Sequence, residues 1–187
     1  MTRYRRAVVA GGTYFFTVVT YRRRRFLTDE EPRRWLREAI KETRADYPFE
    51  VGAWVLLPDH LHCLWTLPEG DSDYSTRWAL IKSRFTKRSK GLLLREDWMT
   101  ESKRKHREGT VWQRRFWEHV IRDDRDFEAH VDYIHFNPVK HGLVGQVADW
   151  PFSTFYRFVG AGLYPTDWGG MREGALIIIP AAKPGAD

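Results

Sequence analysis

The chain has 187 residues, 42% of them hydrophobic, including nine tryptophans, eleven phenylalanines and eight tyrosines. That composition belongs to one folded domain with appendages and excludes a chain that is disordered throughout. Thirty-one Lys and Arg against 25 Asp and Glu leave a net charge of +6 and point to a polyanionic partner, while the single cysteine, Cys63, excludes an internal disulfide and a cysteine-based zinc site.

The N-terminal residues Met1-Thr2-Arg3-Tyr4-Arg5-Arg6 carry no apolar signal region, and no run approaches the ~18 apolar residues that would span a bilayer. A protein of the reducing cytosol is expected, with Cys63 as inert core. Thr13 to Tyr21 is β-branched and aromatic and predicts a first strand, closed by the run Arg22–Arg25. Thr28 stands three residues before Glu31, with Pro32 next, and predicts a capped helix over 29–46. Phe49–Leu57 and His60–Leu67 are apolar runs separated by Pro58-Asp59 and predict a hairpin. Ser75 or Thr76 can cap a further helix in which Trp78, Ile81 and Phe85 face inward. Its exposed faces would then carry Arg77, Lys82, Arg84, Lys87 and Arg88.

Residues 90–109, with the basic run Lys103-Arg104-Lys105-His106-Arg107, predict a mobile loop. Val111–Trp117 returns to strand composition. Asp123 or Asp124 opens a helix whose inward stripe is Phe127, Val131 and Ile134, and Pro138 should end it at Asn137. Strand, helix, strand, strand, helix, strand and a last helix make an α+β, ferredoxin-like βαββαβ core carrying one added helix, with one sheet face left for a site. From Trp150 onward periodicity is weak. Gly169-Gly170 suggests a loop, and Ala175–Pro180 a short docking strand.

Side chains at i and i+2 of a strand share a face, so His60 and His62 can offer both imidazoles to one ion while Leu61 points away. On the helix over 123–137, Asp126, His130, Tyr133 and Asn137 fall along one flank of the apolar stripe. That flank combines a phenol with possible ligands, and either Asn137 or His130 can supply a third one. Each half also has a purely structural reading, as a packed histidine pair and as a tyrosine at the edge of the core.

The segments Leu57-Pro58-Asp59-His60-Leu61-His62, Tyr133-Ile134-His135-Phe136-Asn137-Pro138-Val139-Lys140-His141-Gly142-Leu143-Val144 and Trp150-Pro151-Phe152-Ser153-Thr154 resemble the REP-associated tyrosine transposases, a single-tyrosine branch of the HUH endonucleases. The resemblance covers about residues 1–158 and leaves 159–187 as a tail of unknown role. It implies a metal-dependent endonuclease and strand transferase acting on single-stranded DNA beside palindromic hairpins. Tyr133 on the added helix would be the nucleophile, His60 and His62 would hold Mg2+ or Mn2+, and Asn137 would take the third-ligand position, where related transposases more familiarly carry glutamine. Attack would leave a 5′-phosphotyrosine and a free 3′-hydroxyl, and the ester would keep the bond's energy for rejoining. A cytoplasmic, nucleoid-associated protein is implied, acting as a monomer, with a dimer as the alternative.

Holding the strand calls for cations and stacking platforms. Arg22, Arg23, Arg24 and Arg25, the basic helix face around Arg84, Lys87 and Arg88, and Lys103, Arg104 and Lys105 are the expected phosphate contacts. One or two of Trp112, Trp117, Tyr156 and Trp168 are expected to stack on unpaired bases. Two rival readings remain: a non-catalytic ferredoxin-like nucleic-acid binding module, and a HUH nickase working in replication or plasmid transfer.

Overall fold

The computed structural model describes residues 8–106 and 108–169. Strands β1 (Thr13–Val19), β2 (Glu50–Leu56), β3 (His60–Thr66) and β4 (Trp117–Val120) form one antiparallel sheet in the order β2-β3-β1-β4. Helices α1 (Glu30–Asp46) and α2 (Tyr74–Leu93) follow β1 and β3 in sequence, which is the ferredoxin-like βαββαβ arrangement. They cover one sheet face through Tyr14, Phe16, Val18, Leu61, Cys63 and Trp65. The other face, with Phe15, Ala53, Val55 and Leu64, packs against Val131 and Ile134 of the longer added helix, α4 (Asp124–Lys140). Because β1 and β3 are buried on both faces, they read as nearly continuous apolar runs. A one-residue slip of β3 would carry His60 and His62 to the α1–α2 side, so the double burial also fixes the histidines' face.

The segment that shows no periodicity in the sequence closes the β2 edge. Leu56 N–H donates to Phe152 O at 2.8 Å, Thr154 N–H to Trp54 O at 2.9 Å, and Trp54 N–H to Thr154 Oγ1 at 2.9 Å. Trp150 Nε1–H reaches Leu56 O at 3.0 Å. An otherwise open edge is thereby paired, and Pro151 brings no N–H that would need a partner. Helix α5 (Phe155–Gly160) follows. Tyr164 then donates to Asp132 and stacks on Trp168 with ring centroids 4.4 Å apart. Residues 159–169 thus pack as part of the same unit, whereas Ala175–Pro180 lies outside the described residues.

Several local expectations change. The first helix is preceded by Asp29, and Thr28 forms no capping box; the second takes its cap from Asp73, whose side chain accepts from Thr76 N–H at 2.9 Å. The fourth strand begins at Trp117 and runs on to Val120, because exposed Arg114 and Arg115 interrupt the apolar run. Val111 and Trp112 enter the core with only a single bridge to Thr20. Residues 94–106 contain a short turn at Glu96–Trp98 and helix α3 (Glu101–Lys105) where a featureless loop was expected. Helix α4 continues through Pro138 to Lys140, and His141 N–H and Leu143 N–H still satisfy the Asn137 and Pro138 carbonyls at 3.0 and 2.9 Å. Among the described residues, no helix is long and apolar enough to cross a membrane.

Candidate active site

His60 and His62 project from β3 toward α4 and are 5% and 4% exposed, with ring centroids 4.9 Å apart. Each is held through the same nitrogen. His60 Nδ1 lies 2.7 Å from Asp59 Oδ1, and His62 Nδ1 lies 2.8 Å from Thr17 Oγ1 on the paired position of β1. With Nδ1 engaged, Nε2 is the nitrogen left to ligate, which is how ligating histidines are normally oriented. Burial pulls the His62 pKa well down, and His60, His141 and Lys140 add to that, so the ring is kept in the neutral form a metal requires. Burial opposes ionisation of Asp59, but the hydrogen bond to His60 and the Arg23 guanidinium outweigh it and hold its carboxyl at about 2.

Tyr133 approaches from α4, its ring 5.2 Å from His62 and 5.8 Å from Phe15. Lys140, seven residues on along the helix, places its ammonium 4.7 Å from the Tyr133 ring centre. His141, just past the helix, lies 5.2 Å from His60. Asn137, one turn beyond Tyr133, is fully buried, and neither its Oδ1 nor its Nδ2 has a hydrogen-bond partner; His62 Nε2 is likewise buried without one. Such orphans cost about 1–3 kcal/mol apiece. Two imidazole nitrogens and an amide oxygen suit a divalent cation, so the residues present fit a metal. His130 is engaged elsewhere: its Nδ1 donates to the Asp126 carbonyl at 2.8 Å and its ring stacks on His119. Asp59, Thr17, Lys140 and His141 are components that sequence reasoning did not single out. The first was visible only as a turn residue, and Thr17 becomes relevant only through the β1–β3 register.

The expected phosphate contacts divide into two sets. Arg84 lies 2.5 Å from Asp46 and donates to Thr43 Oγ1, and Arg88 pairs with Glu38 and Glu42. The basic face of α2 is therefore turned toward the acidic face of α1, and Arg84 and Arg88 are engaged in ion pairs there. Arg24 donates to Leu93 O at 2.6 Å, Arg23 pairs with Asp59 at 3.1 Å, and Lys103 lies over Tyr21. Arg22, Arg25, Lys87, Arg104 and Lys105 are exposed. Arg22 stacks on Trp98 at 4.5 Å, which makes Trp98 an aromatic platform absent from the expected set. Trp112 is core at 7% exposure, whereas Trp117 and Trp168 are half-buried and Tyr156 is exposed.

Residues 8–137 match the family described as "Transposase IS200 like". The chain is 52% identical over 170 residues to the REP-associated tyrosine transposase of Escherichia coli (strain K12), covering 91% of this chain and 92% of that one. A Haemophilus influenzae relative named for the same family is 49% identical over 175 residues, covering 92% and 96%. A solved structure titled "Structure of the REP associates tyrosine transposase bound to a REP hairpin" shares 51% identity and a TM-score of 0.76, over 91% of this chain and 93% of that one. The chain belongs to the IS200-like transposases and, within them, to the REP-associated tyrosine transposases, and is a DNA-cleaving enzyme.

Proposed function

We propose that this transposase opens single-stranded DNA beside a hairpin by attack of Tyr133 Oη on a phosphodiester. The Oη–P bond forms, the P–O3′ bond breaks, the phenolic proton is released and the 3′ oxygen leaves as a hydroxyl. A 5′-phosphotyrosine remains, and the reverse step rejoins a 3′-hydroxyl without an external energy source. The observation that carries this reading is the pair of imidazoles whose Nδ1 atoms are both engaged, with Tyr133 against His62. Asn137, one helical turn past Tyr133 and with a buried amide that has no hydrogen-bond partner, is the third ligand this reading assigns beside His60 and His62. When bound there, Mg2+ or Mn2+ supplies Lewis-acid polarisation of the scissile phosphate and eases ionisation of a phenol whose ordinary pKa is about 10.

The protein's own part is positional. Phe15 and His62 fix the Tyr133 ring, and Lys140 sets a positive charge over it where anionic oxygen gathers in the reaction. Arg22, Arg25, Lys87, Arg104 and Lys105 are the exposed cations available to the DNA backbone. The REP hairpin in the solved relative supports a hairpin-bearing strand as the substrate class. The deciding experiment offers a labelled single-stranded hairpin oligonucleotide to wild type, Tyr133→Phe and the double variant His60→Ala/His62→Ala in Mg2+ or Mn2+. Covalent adduct is expected from wild type alone. Adduct from Tyr133→Phe removes the nucleophile assignment, and full cleavage by the histidine double variant removes the metal assignment.

A further inference from the structure

Across Phe15 from the catalytic histidines lies a second group of ligand-type side chains that the reaction does not use. Phe15 stacks at 5.4 Å on His62 and meets His130 at 4.8 Å with the rings tilted by 53°. Beyond it, His119 of β4 and Asp126 and His130 of the first two turns of α4 converge, one ligand atom from each lying within 4.8 Å of the others. His119 Nε2 is 2.9 Å from Asp126 Oδ2, and His130 Nδ1 is 3.2 Å from Asp126 Oδ1. The two rings stack at 4.8 Å with 15° between their planes.

We propose that His119, Asp126 and His130 form a second metal site, of zinc type, that ties the start of the nucleophile-bearing helix to the edge strand β4. A tetrahedral ion with bonds of about 2.0–2.1 Å keeps its ligands about 3.3 Å apart. The carboxylate–imidazole separations, 2.9 and 3.2 Å, lie just below that value, so an ion in place of the ring protons opens these pairs by about 0.1–0.4 Å and takes His130 Nδ1 from its 2.8 Å bond to the Asp126 carbonyl. Two imidazoles and one carboxylate favour Zn2+ or Co2+ over Mg2+, unlike the amide-containing set around Tyr133.

The protonation states agree with the geometry. Burial lowers the His130 pKa and keeps the ring neutral. Burial opposes charge on Asp126, but the hydrogen bonds from His119 and Arg122 prevail and hold its carboxyl at about 2. Around the set, Asp126 N–H donates to Asp123 Oδ1 at 2.8 Å, and Arg122 contributes N–H and Nε–H to Asp126 Oδ2, both at 3.1 Å. The carboxylate's direction is therefore set from outside the ligand group, as metal sites require. The His119 side chain is 28% exposed, which gives an ion an entry path and leaves its fourth position to water. Tyr133 follows His130 by three residues, so fixing that turn on β4 fixes the tyrosine's approach to His62.

The test uses the full chain stripped of metal and titrated with Co2+, read by visible absorption, and with Zn2+, read by thermal shift. The variants are His60→Ala/His62→Ala, His119→Gln and His130→Gln. The double variant, which leaves the second group untouched, is expected to bind one Co2+ with the intense bands of tetrahedral coordination, displaceable by Zn2+, and to melt higher with Zn2+. His119→Gln and His130→Gln, checked for folding by far-ultraviolet circular dichroism, are expected to lose those bands. No tetrahedral Co2+ species in the double variant overturns the proposal, as does its persistence in both glutamine variants. Either result leaves the Tyr133 adduct assay unaffected, so the two readings fail separately.

Discussion

Replacing Asp59 by alanine removes the carboxylate that orients His60 while keeping the Asp59 carbonyl, which accepts from Thr20 N–H and Oγ1–H at 2.9 Å each. The turn should therefore hold, and the loss should fall on the ligand. Loss of a carboxylate that orients a metal-bound histidine weakens metal binding by about 10–100-fold, or about 1.4–2.8 kcal/mol. Arg23, on the far side of Asp59, forms its 3.1 Å pair with a side chain 58% exposed. Exposed pairs contribute about 0–1 kcal/mol, so Arg23→Gln should cost less than about fivefold. The Asp59 carboxyl, held at about 2 against an ordinary 3.8, is ionised throughout the neutral range. Its stabilising contribution is present above about pH 4 and lost only as pH falls toward 2, so the Asp59→Ala deficit should not vary between pH 6 and 8 through this group. The assay is Mn2+ affinity by calorimetry beside covalent-adduct yield against Mn2+ concentration. Asp59→Ala should shift both curves to higher Mn2+ and recover the wild-type plateau. Unchanged affinity, a deficit that metal does not restore, or an equal effect from Arg23→Gln would refute the reasoning.

Asn137→Leu removes two unpartnered buried amide atoms, so the metal-free protein should gain about 1–3 kcal/mol per relieved atom, less any packing mismatch, while adduct formation in Mg2+ collapses; denaturant melts and the oligonucleotide assay check the two halves. Burial pushes the His135 pKa from 6.5 down to about 3, with Arg157 adding to it. The unfolded chain therefore binds a proton that the folded one refuses, and stability should fall by about 1.4 kcal/mol per pH unit as pH drops from about 6.5 toward 3, a slope that His135→Gln should flatten in urea melts. Arg84→Ala and Arg88→Ala should lower stability by at most about 1 kcal/mol each and leave the salt dependence of DNA binding unchanged. Arg22→Ala or Lys105→Ala should instead reduce its slope by about one, measured by fluorescence anisotropy over a salt series.

The fold was legible because β1 and β3 are buried on both faces and α2 on one, so period and composition agree with the tertiary arrangement at Phe16, Trp65, Ile81 and Phe85. What escaped was long-range. Trp150–Thr154 has no period of its own because it lies along an edge strand about a hundred residues distant, matching hydrogen-bond positions that no local pattern encodes. Arg84 and Arg88 look like a DNA-facing stripe until Glu38, Glu42 and Asp46 arrive from a different helix. Helix α4 runs on through Pro138 to Lys140, its last carbonyls at Asn137 and Pro138 accepting from the turn that follows, and this keeps Asn137 helical, one turn past Tyr133.

Some of the places where local physics is least satisfied fall on residues that the motifs select or on their neighbours. Arg22 and Arg23 adopt left-handed backbone angles, φ 55° and 50°, that cost non-glycine residues about 1–3 kcal/mol each. They are the only such non-glycine positions among the described residues, and Arg23 is the one whose guanidinium reaches Asp59 behind His60. His62 on β3 and Asn137 on α4, both assigned to the proposed metal set, leave polar atoms buried without partners. Buried tryptophan indoles are orphaned as well, so orphaned atoms alone identify nothing. What distinguishes this region is that strain, orphaned ligand atoms and anchored imidazoles meet there from four separate segments: β1, the turn after it, the hairpin of β2 and β3, and α4. A packing defect has no reason to recruit a charge from behind the ligand and a hydroxyl from the neighbouring strand. A metal-binding pair, the role proposed for His60 and His62, needs both, since only an imidazole fixed at Nδ1 presents Nε2 in one direction.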